Sequence, residues 1–133
     1  MQTGAKILIV GGVGILLYSF FLGFALARAR KGGAAASRYL VLAHMGGIMQ
    51  GTMLLALTAT LPMSTLSANT ETLAALLLLA GAVTIAMSDT MSWLGKTQDA
   101  FAEKPIGFYV SGVGATLLLA GLAIIGVGVV GGL

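Results

Sequence analysis

The chain has 133 residues, of which 58% are hydrophobic and only 8% are charged, and its formal net charge is +3. Soluble domains carry about 25% charged residues, so this composition excludes an ordinary soluble enzyme and indicates an integral membrane protein. The absence of cysteine excludes disulfides, iron–sulfur clusters and thiolate zinc sites. The basic residues cluster at the ends of apolar segments rather than along a surface, so we do not expect a nucleic-acid partner.

Four apolar segments predict an all-α fold, a single membrane domain over residues 1–133 built as a bundle of four transmembrane helices. We expect the spans at approximately 7–27, 39–61, 71–96 and 106–132. Within the first span, residues 25–27 resemble a signal-peptide cleavage site, but the apolar run is long for a signal sequence. We therefore expect this segment to remain as span one.

Residues in and beside the loops predict where the spans begin and end. Pro62 is expected to end span two, and Asn69 or Thr70 is expected to cap span three, with Glu71 favourable in its first turn. Span four is rich in glycine, which favours close packing against another helix or another copy of the chain.

The distribution of cations predicts the orientation in the membrane. Six of the seven Lys and Arg residues lie in or beside loops 28–38 and 97–105: four in the first loop, plus Lys96 and Lys104. Only Lys6 lies near the opposite end. Because cytoplasmic loops carry an excess of Lys and Arg, we expect both loops in the cytoplasm and both termini outside, with the bacterial inner membrane as the location.

Three strongly polar side chains lie within the spans: His44, Gln50 and Asp89. Such groups are costly in a bilayer and usually mark function. His44 is six residues past Arg38 and Asp89 seven residues before Lys96, so both lie roughly 9–10 Å from the same end. A shared pocket would let Asp89 orient a metal-bound His44 or act on a substrate. The alternative is that these groups only satisfy each other or the backbone.

Small residues surround the only histidine of the chain. His44, Gly47 and Gly51 share one helical face, and Gln50 lies at its edge, about a third of a turn away. The glycines make room either for a porphyrin or for a close helix crossing. One histidine cannot hold zinc alone, but it can hold a haem iron. The first span has no carboxylate, unlike that of small four-span multidrug exporters.

The segment from Ala43-His44 to Gln50-Gly51 resembles the styrene oxide isomerase family. Members of that family are small four-span membrane proteins that bind haem b between subunits and isomerise an epoxide to an aldehyde. The resemblance implies that His44 is the haem ligand and that Gln50 replaces an asparagine that contacts the epoxide. It places Asp89 in the span with the family's acidic residue. The family also has a tyrosine late in span three, where this chain has none.

The resulting hypothesis is a haem b-binding membrane isomerase that converts an epoxide to a carbonyl compound. Ferric iron held by His44 acts as Lewis acid, with Gly47 and Gly51 beside the cofactor. Gln50 orients the epoxide oxygen, and Asp89 stabilises positive charge or tunes His44. The expected partners are a small hydrophobic substrate such as an aryl epoxide, membrane lipid and further copies of the chain, with a trimer favoured by the resemblance. The alternatives are a non-catalytic membrane subunit and a haem protein for electron transfer or sensing.

Overall fold

The computed structural model describes residues 2–33 and 35–133. Met1, in the predicted domain, and Ala34, in the predicted first loop, lie outside the described residues. The described chain is helical, as predicted. Its helices are α1 (Thr3–Lys31), α2 (Arg38–Leu57), α3 (Ala68–Leu94), the single turn α4 (Ala100–Glu103) and α5 (Ile106–Val130), with a 3₁₀ turn at Leu61–Met63 between α2 and α3.

Four of these helices are long and apolar enough to cross a membrane. The mean hydropathy of their most apolar segments runs from 1.6 for the α2 segment, counted to Met63, to 2.5 for α5. Large apolar side chains also cover the outer surface, among them Val10, Phe21 and Val127, each more than 70% exposed. Such a surface suits lipid rather than water. The protein is therefore an integral membrane protein with a four-helix bundle.

The helix ends differ from the predicted span ends for local reasons. Span one was predicted at 7–27, whereas α1 extends to Lys31, because the basic residues of its last turn lie favourably at the negative end of the helix. The helical part of span two stops at Leu57, and Pro62 lies in the 3₁₀ turn that follows. The side chain of Ser67, rather than Asn69 or Thr70, caps α3 by accepting a hydrogen bond from Thr70 N.

Helix α3 is the centre of the bundle. It packs against α5, α1 and α2, while α1 also packs against α2. In contrast, α5 rests chiefly on α3. The buried side chains Leu8, Leu54 and Leu78 belong to one apolar cluster toward the end of the bundle that carries the termini. A second cluster, around Leu22 and Leu40, lies toward the end that carries the basic loops.

Glycines set the helix separations. A Cβ atom at Gly81 would lie 2.7 Å from Gly114 O on α5. A Cβ atom at Gly51 would lie 2.9 Å from Gly12 O on α1. Since real Cβ atoms do not approach backbone that closely, both crossings require glycine. The glycine-rich span four thus uses several of its glycines for packing within the chain.

Candidate functional site

The His44 imidazole is held by the backbone of α1. Its Nδ1 lies 2.8 Å from the carbonyl oxygen of Ser19, a residue 25 positions earlier in the chain. Because a carbonyl only accepts hydrogen bonds, Nδ1 carries the hydrogen and donates it. A neutral ring with a proton on Nδ1 keeps its lone pair on Nε2, which is the form that a metal ion binds.

The second ring nitrogen of His44, Nε2, lies 3.5 Å from the Cβ position of Gly23 on α1. It makes no hydrogen bond within the described part of the chain. The buried side-chain atoms found there without a hydrogen bond are Ser19 Oγ, Gln50 Oε1 and Glu71 Oε2. Because His44 Nε2 is not among them, the atom is not fully enclosed by the described chain. His44 is accordingly only half-buried.

Gly23 of α1 makes the room that the ring occupies. A Cβ atom there would lie 2.9 Å from His44 Cε1 and 3.3 Å from Nδ1. Phe20, three residues before Gly23, and Phe24, the residue after it, are 64% and 71% exposed. The ring therefore lies in the seam between α1 and α2, beside an exposed aromatic surface.

A hydrogen bond on the other side of α1 holds the segment that accepts from His44. The Tyr18 hydroxyl bonds the Thr90 Oγ1 atom on α3. Thr90 Oγ1 itself donates to Ala86 O at 2.8 Å, so the Tyr18 hydroxyl is the donor to Thr90. Adjacent residues of α1 are thus bonded to both neighbouring helices, which fixes the Ser19 carbonyl relative to His44.

The two glycines predicted to lie beside a cofactor pack against α1 in the protomer. A Cβ atom at Gly47 would clash with Ser19 Oγ, and one at Gly51 would lie 2.8 Å from Leu16 Cγ. Of the two uses that the sequence allows for them, close helix crossing is the one that the chain displays. A single copy leaves no open space at either glycine for a porphyrin.

Asp89 lies at the predicted depth but on the other side of α2. A Cβ atom at Gly46 would lie 3.8 Å from Asp89 Oδ2, so the carboxylate is level with a residue two positions from His44. Two residues along a helix correspond to about 200° of rotation. The expectation that His44 and Asp89 share a pocket is therefore not met within one protomer, because depth counts carry no information about direction.

The Asp89 carboxylate borders a cavity of about 460 Å³. The cavity lies between the N-terminal end of α2, the C-terminal half of α3 and the start of α5, with α4 beside it. Its wall includes Arg38, Tyr39, Phe108 and Tyr109. A carboxylate, a guanidinium and aromatic rings around one space can hold a small amphipathic molecule.

Gln50 lies on the Asp89 side of α2 rather than on the His44 side. It follows Gly46 by one helical turn, and its Oε1 atom is buried without a hydrogen bond in the described chain. A buried amide oxygen without a partner is costly, and such atoms often mark a site that a ligand completes.

Sequence reasoning missed the residues that support His44. The backbone carbonyl of Ser19 accepts the hydrogen bond from His44. Gly23 has no side chain and so leaves space for the imidazole ring. Tyr18 ties α1 to α3 through its hydrogen bond to Thr90. A serine and a glycine four residues apart in an aromatic-rich span were the only available signal. Their pairing with His44 depends on the α1–α2 crossing, which the sequence of either helix alone does not define.

No group of three or more His, Cys, Asp or Glu residues that could hold a bare metal ion is found in residues 2–33 and 35–133. A haem iron needs only one strong protein ligand, because the porphyrin supplies the other four. Comparison with known protein families, curated proteins and solved structures finds no match to this chain.

Proposed function

We propose that this protein binds haem b and that His44 Nε2 would hold the iron. The observation that carries the proposal is the hydrogen bond from Nδ1 to the Ser19 carbonyl. Metal-bound histidines almost always donate their second ring N–H to a carbonyl or carboxylate, which fixes the ring and raises its basicity. Here the Ser19 carbonyl accepts from Nδ1, and Nε2 has no hydrogen bond within the described chain.

The surroundings of His44 suit a porphyrin. The exposed rings of Phe20 and Phe24 offer apolar surface next to the ligand, which is where a flat hydrophobic macrocycle loses its contact with water or lipid. His44 is also the only imidazole in the chain, so no second residue competes for the iron.

The placement of Asp89 supports a homo-oligomer. His44 and the Asp89 cavity lie on opposite sides of α2. A site that uses both residues therefore takes His44 from one copy and Asp89 from its neighbour. Closed symmetric rings form when one face of a subunit meets a different face of the next. We propose this arrangement, with the haem between copies and with a trimer as the state that the family resemblance favours.

The activity that we propose is isomerisation of an epoxide to a carbonyl compound. Bound ferric haem would supply a Lewis acid for the epoxide oxygen. The Gln50 amide would orient the substrate, and the Asp89 carboxylate would stabilise positive charge that develops on carbon. The apolar helices would exclude water from that carbon and so prevent hydrolysis to a diol. A small aryl epoxide fits these requirements as the substrate. The proposed location of the protein is the bacterial inner membrane.

Ligand replacement tests the haem proposal. His44→Gly should insert in the membrane but lose the Soret band near ~400 nm, because the chain has no other imidazole. Added imidazole should restore the band by occupying the space of the missing ring. Met45→Ala is the matched control, since Met45 is the next residue and is 50% exposed. Full haem occupancy in His44→Gly without imidazole would refute the assignment.

A second candidate function applies if Asp89 takes no part in the haem site. The His44 site alone suits electron transfer or sensing, and no hydrogen bond joins Asp89 to His44 within the described chain. Epoxide consumption by the haem-loaded protein separates the two functions. An isomerase yields a carbonyl compound with no change in the oxidation state of the iron, whereas an electron carrier shows reversible reduction and no turnover.

A further inference from the structure

A second cleft lies at the end of the bundle that carries the basic loops. It has a volume of about 570 Å³ and is formed by the start of α2 and the end of α3. Its lining includes Ser37, Arg38, Trp93, Lys96 and Thr97. None of the described residues that line the cleft is acidic, although Arg38, one of its two cations, also lines the Asp89 cavity. The proposed haem site does not use it.

Thr97 is the polar side chain that is built into this cleft. It is only 7% exposed. Its hydroxyl makes no hydrogen bond within the described part of the chain, yet it is not among the buried atoms without a partner. The hydroxyl is therefore not fully enclosed, and Thr97 is one of the residues that line the cleft. A hydroxyl without a partner in a cleft that is also lined by two cations favours an anion as the ligand.

The C-terminal end of α3 fixes the positions of Lys96 and Thr97. Thr97 N donates to Ser92 O at 3.0 Å, and Lys96 N donates to Trp93 O at 3.0 Å, which together form a Schellman motif. Lys96 takes the left-handed position of this motif, with φ of 53°, where glycine is the usual residue. Lys96 thus places a positive charge at a left-handed backbone position that glycine usually occupies.

The opposite wall of the cleft begins α2. Ser37 precedes the helix but its side chain does not cap it. The N–H groups of the first helical turn are therefore free of a side-chain acceptor and add positive potential beside Arg38. Trp93, half-buried in the cleft wall, is a residue type enriched at membrane–water interfaces.

We propose that this cleft binds the phosphate of an anionic membrane lipid, with Lys96, Arg38 and the Thr97 hydroxyl as its contacts. The cleft lies where helix ends meet the interface, which is the depth at which lipid phosphates lie. The acyl chains of such a lipid would extend along the exposed apolar surface, for example past Leu94, which is 67% exposed and also lines the cleft.

Native mass spectrometry of the full-length protein with phosphatidylglycerol and with phosphatidylcholine tests the proposal. The wild-type chain should retain phosphatidylglycerol selectively. Lys96→Gly should weaken retention about fivefold, as expected for one cation near an anionic surface. Glycine also suits the left-handed position, so the variant should fold. Thr97→Val, which keeps the shape, should weaken retention roughly tenfold, as expected for a hydroxyl bonded to a charged oxygen.

Lys31→Gln is the matched control, because Lys31 is an exposed cation of the neighbouring basic loop that does not line the cleft. It should leave retention unchanged. An equal loss in Lys31→Gln, or none in Thr97→Val, would overturn the proposal in favour of diffuse attraction between basic loops and anionic lipid. Displacement of the lipid by millimolar inorganic phosphate would overturn the lipid assignment and leave a soluble anion as the ligand.

Discussion

His44 shows what a single residue reveals about a site before the fold is known. Its type and its place in an apolar span marked it as a candidate, because an imidazole in a bilayer is costly. The partner that fixes its tautomer is a backbone carbonyl, and any residue supplies one. The sequence therefore identifies His44 as a candidate ligand but does not predict the carbonyl that its ring bonds.

Gly23→Ala tests that support. The new Cβ atom would lie 2.9 Å from His44 Cε1, so the ring must turn away from the Ser19 carbonyl. Haem affinity should fall about tenfold and the Soret band should shift, as changes in the partners of metal ligands typically cost 10–100-fold. Haem titration followed by absorption measures both effects.

Gly14→Ala is the control for this substitution, since nothing lies within 4 Å of a Cβ atom at that position of the same helix. Both variants gain about 1 kcal/mol of helix propensity. Only Gly23→Ala should affect the haem. Identical titration curves for the two variants would show that the His44 ring is not held as described.

For Asp89, the depth along the bundle could be predicted from the sequence, but the side of the helix on which it lies could not. Counting residues from the nearest cation placed it level with His44, and the contact at Gly46 confirms that depth. The direction in which a side chain leaves its helix depends on which neighbours the helix packs against. The sequence does not define these neighbours. In the structure, His44 points to one side of α2 and Asp89 of α3 lies on the other.

At the scale of elements, the four long helices were predictable and their ends were not. Length and apolar content fix the number of spans, since about 20 apolar residues are needed to cross the hydrocarbon core. The ends depend on local hydrogen bonds, as at Ser67, which caps α3 two residues earlier than expected. The role of the glycines also depends on the partner helix: Gly81 faces α5, whereas Gly112 faces open space.

The α3–α5 crossing should be sensitive to a single methyl group. In Gly81→Ala the added Cβ atom would lie 2.7 Å from both Gly114 O and Leu118 N, which are backbone atoms that cannot turn aside. Overpacking of this kind costs about 1–3 kcal/mol, partly offset by helix propensity. A lower melting temperature in detergent is expected.

Gly112→Ala should instead leave the melting temperature unchanged or raise it, because nothing lies within 4 Å of its Cβ position. A decrease as large as that of Gly81→Ala would mean that another chain packs closely against Gly112, which lines the Asp89 cavity.

At the scale of the whole molecule, the first prediction concerns orientation. Both basic loops lie at one end of the bundle, and the positive-inside rule places that end in the cytoplasm. A reporter that is active only outside the inner membrane, fused after Leu133, should therefore be active. Activity of a cytoplasmic reporter at the same position would show that the bundle is inserted in the opposite sense.

The proposed assembly of several copies, with each site shared between two of them, can be tested by mixing variants. If His44 of one copy and Asp89 of the next form each site, His44→Ala and Asp89→Asn should each be inactive alone, yet recover activity when co-expressed. Random mixing of equal amounts leaves about a quarter of the interfaces with both native residues, so about a quarter of the wild-type activity is expected. Epoxide turnover and haem content per oligomer measure this. If both residues act within one copy, every site in the mixture lacks one of them and no activity returns. Mixing His44→Ala with a His44→Gly partner is the control, because no interface in that mixture regains a ligand for the iron.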